Sequence, residues 1–453
     1  MKVVLVSPHF PPDHIGGVEQ YVKRLADDLR ARGDEPEVIC VEDVERANHG
    51  LEVIRDTRQP YAVHRIHLSR DILAEPISSM YDVPGVESAI GAILDASAAD
   101  VMHLHSGYLL GAAALEAARQ RGLPTVVTLH DFWFICPMIT MSHPGGRLCT
   151  GPENVTKCGW CLATQKRRYR YLDKVTRFRI SRLATAVGRA AATQPLALKF
   201  PRVQFLDRRR RTLTDALIHA DVILSPSRFV RDRVAETGIP PERIAISRYG
   251  VDVRRVVRSE RPSNSPLRVG YLGQLAPHKG VHVLIEAVRQ VSGSGLTLQV
   301  FGDPRPYPRY VAQLHARARR DPRIEFRGAY QHAAVYDILS ALDVIVVPSV
   351  WYENSPFVIQ EAQSAHVPVV ASRLGGMREL VIDEQDGLLF EPGDATDLAR
   401  QLGRLTQTPD LLGRLRPDGT TVRPADDEMK ELSQHYRRLT SDRKKSPNQS
   451  TLV

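Results

Sequence analysis

The sequence predicts an α/β protein built from two doubly wound parallel sheets. Three observations carry this. Apolar runs of strand length recur along the chain, among them Lys2–Ser7 (KVVLVS), Leu267–Leu272 (LRVGYL) and Val344–Val347 (VIVV). Helical periodicities lie between many of them, and such alternation implies parallel strands with helices on both faces. Gly- and Pro-rich loops sit where strands end, as in PHFPPDHIGG at 8–17 and GQLAPHKG at 273–280. The length of 453 residues suits two or three domains.

Composition bounds the function. Hydrophobic content of 43% with 25% charged residues belongs to a soluble globular chain, not a disordered or fibrous one. With 61 basic against 52 acidic residues the net charge is +9, which calls for an anionic partner. No apolar stretch approaches the roughly 18 residues needed to span a bilayer. Met1 and Lys2 lead straight into a strand-like run, so no secretory signal is expected. Five cysteines are an odd set, and a reduced cytoplasmic setting is expected over a disulfide framework.

Taken in order, Lys2–Ser7 reads as the first buried strand. The loop that follows ends in Gly16-Gly17, where a bound group can approach the backbone closely because neither residue has a Cβ. VEQYVKRLADDLRARG then has helical periodicity and a stop at Gly33. Further strands are expected at Pro36–Val41, Val63–Leu68, Val101–His105, Thr125–His130 and Val222–Pro226. His105 and the pair His130-Asp131 fall at strand carboxyl ends, where ligand residues collect. The competing reading for each is a satisfied loop residue.

Cys136, Cys149, Cys158 and Cys161 form C-x12-C-x8-C-x2-C. The C-x2-C pair is half of a tetrahedral thiolate site, so a structural Zn²⁺, or an Fe–S cluster, is an expectation beside free thiols or a disulfide. From Lys157 to Arg211 the chain is strongly basic with interleaved aromatic and aliphatic residues. An anionic membrane surface, an acidic acceptor and a plain solvated face all suit it. Nucleic acid is not expected, because no base-reading module is present.

The second half opens with Leu267–Leu272 and the loop GQLAPHKG, which places Lys279 to reach a phosphate as a compact cation. Strands in LTLQVFGDP and RIEFRGAY and the helix HAAVYDILSAL follow. VIVVPSVWYENSPFVIQEA, Val344–Ala362, is then a buried strand, a Pro-Ser turn, Glu353, an Asn354-Ser355-Pro356 break and a helix opening near Pro356 and Phe357. A helix start suits phosphate. Glu353 and Glu361, spaced E-x7-E, flank it as acceptors for sugar or ribose hydroxyls. A solvated helix residue and a partner for the helix dipole are the plain alternatives. PVVAS, GGMRELV and DGLLF continue the alternation. Gly375-Gly376 again permits close approach, to a donor sugar or phosphate. A helix at Asp394–Thr406 and another at Asp426–Leu439 complete the chain before a polar tail.

ENSPFVIQE, PVVAS, GGMRELV and DGLLFEPGD resemble the donor half of family-4 glycosyltransferases. GYLGQLAPHKGVHVLIEA and SPHFPPDHIGGVEQYVKRLADDL extend the resemblance over most of the chain. It implies a GT-B fold of two Rossmann-like domains facing a central cleft. Residues 1–250 form the acceptor side, with a Cys-rich loop at 131–165 and a basic insertion at 157–211. Residues 251–266 are the linker and 267–425 the nucleotide-sugar domain. Residues 426–440 return to the first domain, and 441–453 are a disordered tail. The implied function is transfer of a sugar from a nucleoside-diphosphate sugar to a hydroxyl on a lipid-linked glycan, a polysaccharide or another glycoconjugate, with retention and without a catalytic metal. The implied catalytic group is His130, Lys279 and Glu353. The implied donor contacts are Gly16, Gly17, Gln274, Asn354, Ser355, Pro356, Phe357 and Glu361, with His105 and Asp131 toward the acceptor or sugar. Gln274 departs from the family pattern, which has Arg there, and removes one fixed cation. An epimerase or phosphorylase on the same scaffold, a non-catalytic nucleotide binder and a membrane-surface assembly partner are the alternatives. The expected location is cytoplasmic, peripheral at the inner membrane face.

Overall fold

The structure, a computed structural model, describes residues 1–14, 16–44, 50–69, 81–189, 201–253, 265–415, 417 and 422–445. The chain divides into two compact units, Met1–Ser247 with Met429–Val453, and Arg248–Glu428. Most of the Pro/Ser connector, 254–264, and the tail from 446 lie outside the described residues.

The first unit holds an eight-stranded sheet ordered β3-β4-β2-β1-β5-β6-β7-β8. Its strands are β1 (Lys2–Val6), β2 (Glu35–Val44), β3 (Leu51–Asp56), β4 (Val63–Ser69), β5 (Val101–Leu104), β6 (Thr125–Thr128), β7 (Val222–Ser225) and β8 (Ile244–Ile246). All pairings are parallel except β3 with β4. β5, β6 and β7 are buried along their whole length, as apolar strands between two helix layers must be. The edge strand β3 was not foreseen. Its Glu52, Val53, Ile54 and Arg55 are exposed, so it carries no buried apolar run to mark it.

The helices of this unit are α1 (Gly17–Ala31), α2 (Val86–Ser97), α3 (Ala113–Gln120), α4 (Val155–Ala163), α5 (Arg167–Val175), α6 (Arg179–Arg189), α7 (Pro201–Ile218) and α8 (Arg228–Ala235). α1 buries Tyr21, Val22, Leu25, Ala26 and Leu29, the stripe that a 3.6-residue repeat places on one face. Asn154 caps α4 by accepting from Lys157 N, and Ser227 caps α8 by accepting from Val230 N. Because β1, β5 and β6 are neighbours, the residues after them, Ser7, His105 and His130, come to one region of the sheet's carboxyl edge.

The second unit holds six parallel strands ordered β11-β10-β9-β12-β13-β14. They are β9 (Leu267–Leu272), β10 (Leu296–Phe301), β11 (Ile324–Gly328), β12 (Val344–Val347), β13 (Val369–Ser372) and β14 (Gly387–Phe390). The helices are α9 (Val281–Gln290), α10 (Pro308–Ala318), α11 (Val335–Ser340), α12 (Phe357–Ser364), α13 (Met377–Leu380), α14 (Ala395–Gln407) and α15 (Pro409–Arg414). Val269, Leu284, Val346, Leu398 and Leu402 form part of one apolar core. With β9 beside β12, the loops that follow these strands meet at the carboxyl edge, where open α/β sheets bind ligands.

The last helix, α16 (Ala425–Lys445), belongs to the first unit from Met429 onward. Its Tyr436 is fully buried and its hydroxyl lies 2.6 Å from His103 Nδ1 on β5. The helix continues through 441–445, residues expected to lie in the tail. Asp442 and Arg443 are exposed there and Arg443 reaches the Arg121 carbonyl at 3.3 Å, so this last turn is polar and carries no apolar signal. No described helix is long and apolar enough to cross a membrane.

Leu284 is fully buried in the second core. Leu284→Ala should cost about 2–5 kcal/mol of unfolding free energy, read from denaturant titration of that unit's transition. A loss well under 1 kcal/mol would contradict this packing.

Candidate functional site

In the second unit the site is built around Glu353, in the loop after β12. Its Oε1 accepts three hydrogen bonds at 2.7 Å each, from Lys279 Nζ, Ser349 Oγ and Trp351 Nε1. Among the described residues its Oε2 has no hydrogen-bond partner. One carboxylate oxygen is therefore saturated and the other keeps its acceptor capacity. Burial pushes the Glu353 pKa up, but the Lys279 charge and the three donors outweigh it and hold the carboxyl below its ordinary range.

The surrounding loops are fitted to one another to hold this group. Gly280 has φ +72, and a Cβ there would lie 1.8 Å from the Pro348 carbonyl oxygen. The Lys279 loop can therefore pass against the Pro348-Ser349 turn only with glycine at this place. Val350 N donates to the His278 carbonyl at 2.9 Å across the same contact. Gly375-Gly376, expected to approach a donor sugar or phosphate, packs against the Glu353 loop. A Cβ on Gly376 would meet the Asn354 carbonyl oxygen at 1.6 Å, and Gly376 N donates to the Glu353 carbonyl at 2.7 Å. That pair approaches the backbone of the Glu353 loop and braces it.

Trp351 lies between His278, with ring centroids 4.1 Å apart, and Lys279, whose Nζ is 5.4 Å from the indole centroid. His278 brings no charge to make up for the one Gln274 lacks. Burial and then Lys279 push the His278 pKa down to about 4, so its ring is neutral at pH 7. Arg305 is exposed and paired with Asp303 at 2.6 Å. The Gln274 backbone carbonyl accepts from Tyr271 Oη at 2.7 Å.

Glu361, on the buried face of α12, accepts at Oε1 from His332 Nε2 at 2.9 Å. Its Oε2 has no partner among the described residues. Pro356 stands at the N-cap of α12 with no side-chain cap bond, Ser355 Oγ accepts from Gln360 Nε2 at 3.2 Å, and Phe357 stacks on Tyr249 with centroids 4.9 Å apart. Asn354 and Ser355 thus lie between the two glutamates on one turn of chain.

In the first unit three histidines are buried together. His105 Nδ1 and His130 Nε2 are 3.0 Å apart, the His103 and His105 rings are 4.0 Å apart, and His103 Nε2 bonds Thr128 Oγ1 at 2.8 Å. Tyr21 meets the His130 ring edge-on at 4.9 Å. Burial pushes the His130 pKa down to about 3 and those of His103 and His105 well below the ordinary value, so all three are neutral. His105 is fully buried and presents no surface, and among the described residues its Nε2 has no hydrogen-bond partner. Asp131 does not bond His130. It accepts from Ser106 Oγ and Trp133 N, each at 2.7 Å, and burial raises its pKa.

Gly16 is the N-cap of α1 in extended conformation, and nothing lies within 4 Å of a Cβ built on Gly17. The loop before them is strapped by Arg65 of β4. Its guanidinium reaches the Phe10 and Pro11 carbonyls at 3.3 and 2.8 Å and pairs with Asp56 at 2.7 Å and with Glu42.

Among the described residues no group of three or more His, Cys, Asp or Glu side chains is placed to hold a metal ion. All four clustered cysteines are free thiols. Burial pushes Cys136 up to about 11 and Cys158 up to about 12, and Cys161 higher still, and the neighbouring cysteines add to each rise. Two cations also pin the loop. Lys157 Nζ bonds Thr150, Gly151 and Glu153 at 2.9–3.0 Å, and the buried Arg209 reaches the Trp133 carbonyl.

Within the second unit Lys279, Glu353 and the Asn354–Phe357 turn come together, with Glu361 along α12. Within the first, His130 and His105 come together. Ser349, Trp351, His332 and Arg65 were missed by sequence reasoning. Ser349 and Trp351 sit close before the glutamate they serve and were legible as polar and aromatic neighbours of it. His332 and Arg65 are brought in by tertiary structure from distant positions.

The histidine stack gives stability a pH dependence. A histidine neutral in the fold but with pKa near 6.5 when unfolded contributes fully above pH 6.5 and loses that contribution as pH falls toward the folded value. At pH 5 this amounts to about 2 kcal/mol for each histidine that stays neutral. The melting temperature should fall between pH 7 and pH 5, and less so in a His105→Gln variant. A flat profile would contradict the buried neutral stack.

Comparison with known families and structures agrees with this build. The glycosyltransferase family 4 model matches residues 15–255, and the glycosyl transferases group 1 model matches 266–408. WcaL of Salmonella typhimurium, whose name assigns it to colanic acid biosynthesis, is 32% identical over 195 residues. That match covers 41% of this chain and 48% of WcaL, so the chain spans about half of that relative. Glycogen synthase of Mycobacterium tuberculosis is 24% identical over 90% of this chain and 87% of its own. Sucrose-phosphate synthase of Thermosynechococcus elongatus superposes with a TM-score of 0.64 at 19% identity, over 97% of this chain and 99% of that one. Anabaena Alr3699/HepE, solved with UDP and glucose, gives 0.63 at 17% identity, over 96% and 99%. These likenesses carry the fold, two parallel-sheet α/β domains of the GT-B kind. With a family model spanning more than half its length, the chain belongs to glycosyltransferase family 4.

Proposed function

We propose that the protein transfers a glycosyl group from a nucleoside-diphosphate sugar to a hydroxyl acceptor, with retention at the anomeric carbon. The observation that carries this reading is the Glu353 carboxylate, with one oxygen taken by three donors and the other left as an acceptor beside Lys279. A buried ion is kept where charge and hydrogen bonds compensate it, and here the compensation leaves one acceptor for a ligand hydroxyl.

In this reading the bond from C1 to the diphosphate oxygen breaks through an oxocarbenium-like transition state. The acceptor hydroxyl oxygen forms the new bond to C1, its proton passes to the departing phosphate, and the nucleoside diphosphate leaves. Lys279, with two further N–H donors beyond the one given to Glu353, and the backbone around Ser355–Phe357 meet the negative charge that grows on the phosphate. Glu353 Oε2 takes a hydroxyl of the donor sugar, and Glu361 Oε2 the ribose. Asn354, Pro356 and Gln274 line the donor, the last by neutral bonds only. Residues 1–250 take the acceptor, His130 bonds a further sugar hydroxyl, and Gly16-Gly17 admits a phosphate or sugar to the backbone. His105 and Asp131 act behind the surface, one on His130 and the other on its turn.

A panel of UDP-, GDP- and ADP-sugars with hydroxyl acceptors, products read by mass, tests the reading. One donor should be consumed in an acceptor-dependent way, with glycosylated product formed. Lys279→Ala and Glu361→Ala should each lower kcat/KM tenfold or more, an electrostatic contact of this kind being worth roughly 2.7–4 kcal/mol. Trp351→Phe, which removes one neutral donor of three, should cost about threefold to tenfold. Full activity in Lys279→Ala and Glu361→Ala together would overturn the assignment.

A further inference from the structure

The hairpin formed by α5 and α6 carries a surface that the transfer chemistry does not use. Tyr171 is 70% exposed, Leu183 62%, Val175 59%, Leu172 45% and Phe178 37%. Elsewhere among the described residues exposed large apolar side chains stand singly or as the Val53-Ile54 pair of β3. Tyr171, Leu172 and Val175 share one side of α5, because residues three and four apart are neighbours on a helix. Phe178 sits in the tight turn between the helices, at φ +61.

The same surface is uniformly cationic. Arg167, Arg168, Lys174, Arg177, Arg179 and Arg182 are all exposed. Asp173 is the single acid between 154 and 206, and it is turned inward. It is buried, and it accepts from Ser181 Oγ at 2.7 Å, Ser181 N at 3.1 Å and Trp160 Nε1 at 3.3 Å. The one negative charge thus staples α5 to α6 and to α4 and leaves the outer face without a counter-charge. A fixed hairpin that shows apolar side chains ringed by cations matches an interface of apolar depth beneath negative headgroups.

We propose that the Arg167–Arg189 hairpin docks the protein on an anionic lipid surface, with Tyr171, Val175 and Leu183 entering the headgroup layer. That the docked protein glycosylates an acceptor there rests on the transferase reading above; the docking rests on the hairpin alone. The test is flotation of the full chain with phosphatidylcholine vesicles, with and without phosphatidylglycerol. The protein should float with the anionic vesicles only and release as salt rises. Each near-surface Lys or Arg strengthens such binding about fivefold, so Arg167→Gln, Lys174→Gln and Arg179→Gln together should weaken it about a hundredfold. Val175→Ser with Leu183→Ser should weaken it too and leave the remainder fully salt-sensitive.

Both variants should keep the wild-type melting temperature and the wild-type turnover of donor with a soluble acceptor. Failure of the wild type to float with anionic vesicles at low salt overturns the proposal. So does flotation of both variants at wild-type strength, a switch from dimer to monomer in the apolar variant, or retention of a single-stranded oligonucleotide in place of vesicles. Flotation without any donor turnover would leave the docking standing and remove the transferase reading.

Discussion

The second unit depends on one interaction, the convergence of Lys279, Ser349 and Trp351 on a single oxygen of Glu353. A carboxylate taken out of water is tolerated where an opposite charge and good donors replace the lost solvent. Two loops, after β9 and β12, must therefore meet within hydrogen-bond distance, the loop after β13 braces them through Gly376 N, and the glycines are placed at these contacts. Gly280 lets the lysine loop touch the Pro348 carbonyl, and Gly376 lets the loop after β13 touch that of Asn354. The burden on Lys279 is heavier because Gln274 brings no charge and His278 is neutral beside it. An ammonium with three donors can hold Glu353 and meet a phosphate at once, which a single neutral amide cannot do.

The first unit solves a different problem with uncharged groups. His103, His105 and His130 are stacked in the core between β5, β6, α1 and the last helix, and each is kept neutral by burial. Neutral imidazoles have one donor and one acceptor apiece, so such a stack directs hydrogen bonds without burying charge. Tyr436 closes one end of it at His103, so the last helix and the strand that leads to His105 share a buried bond. Arg65 does comparable work for the loop before Gly16 by tying its carbonyls to β4.

Much of this was legible in the sequence, for identifiable reasons. Val344–Val347 and Leu267–Leu272 were placed as strands with the bounds observed, because strands buried on both faces read as continuous apolar runs. Lys279, Glu353, Asn354 and Ser355 were named from the order of motifs, and each stands at the carboxyl edge of β9 or β12. β3 escaped notice because its side chains face water, and residues 441–445 were taken for tail because nothing apolar marks a last helical turn. Lys157 and Arg209 hold the Cys-rich loop through Gly151 and Trp133, contacts that the spacing C-x12-C-x8-C-x2-C does not reveal. His332 and Arg65 were invisible for a related reason: their partners are 29 and 23 residues away and meet them only through the fold.

A crystal structure would show whether the donor sugar is gripped by the open oxygen of a carboxylate whose other oxygen is fixed. The complex to solve is this protein with a non-hydrolysable analogue of the nucleoside-diphosphate sugar it turns over. The account predicts a sugar hydroxyl within about 3.0 Å of Glu353 Oε2 while Ser349 and Trp351 still bond Oε1. A sugar bound elsewhere, or a Glu353 whose second carboxylate oxygen makes no contact with the ligand, would contradict it.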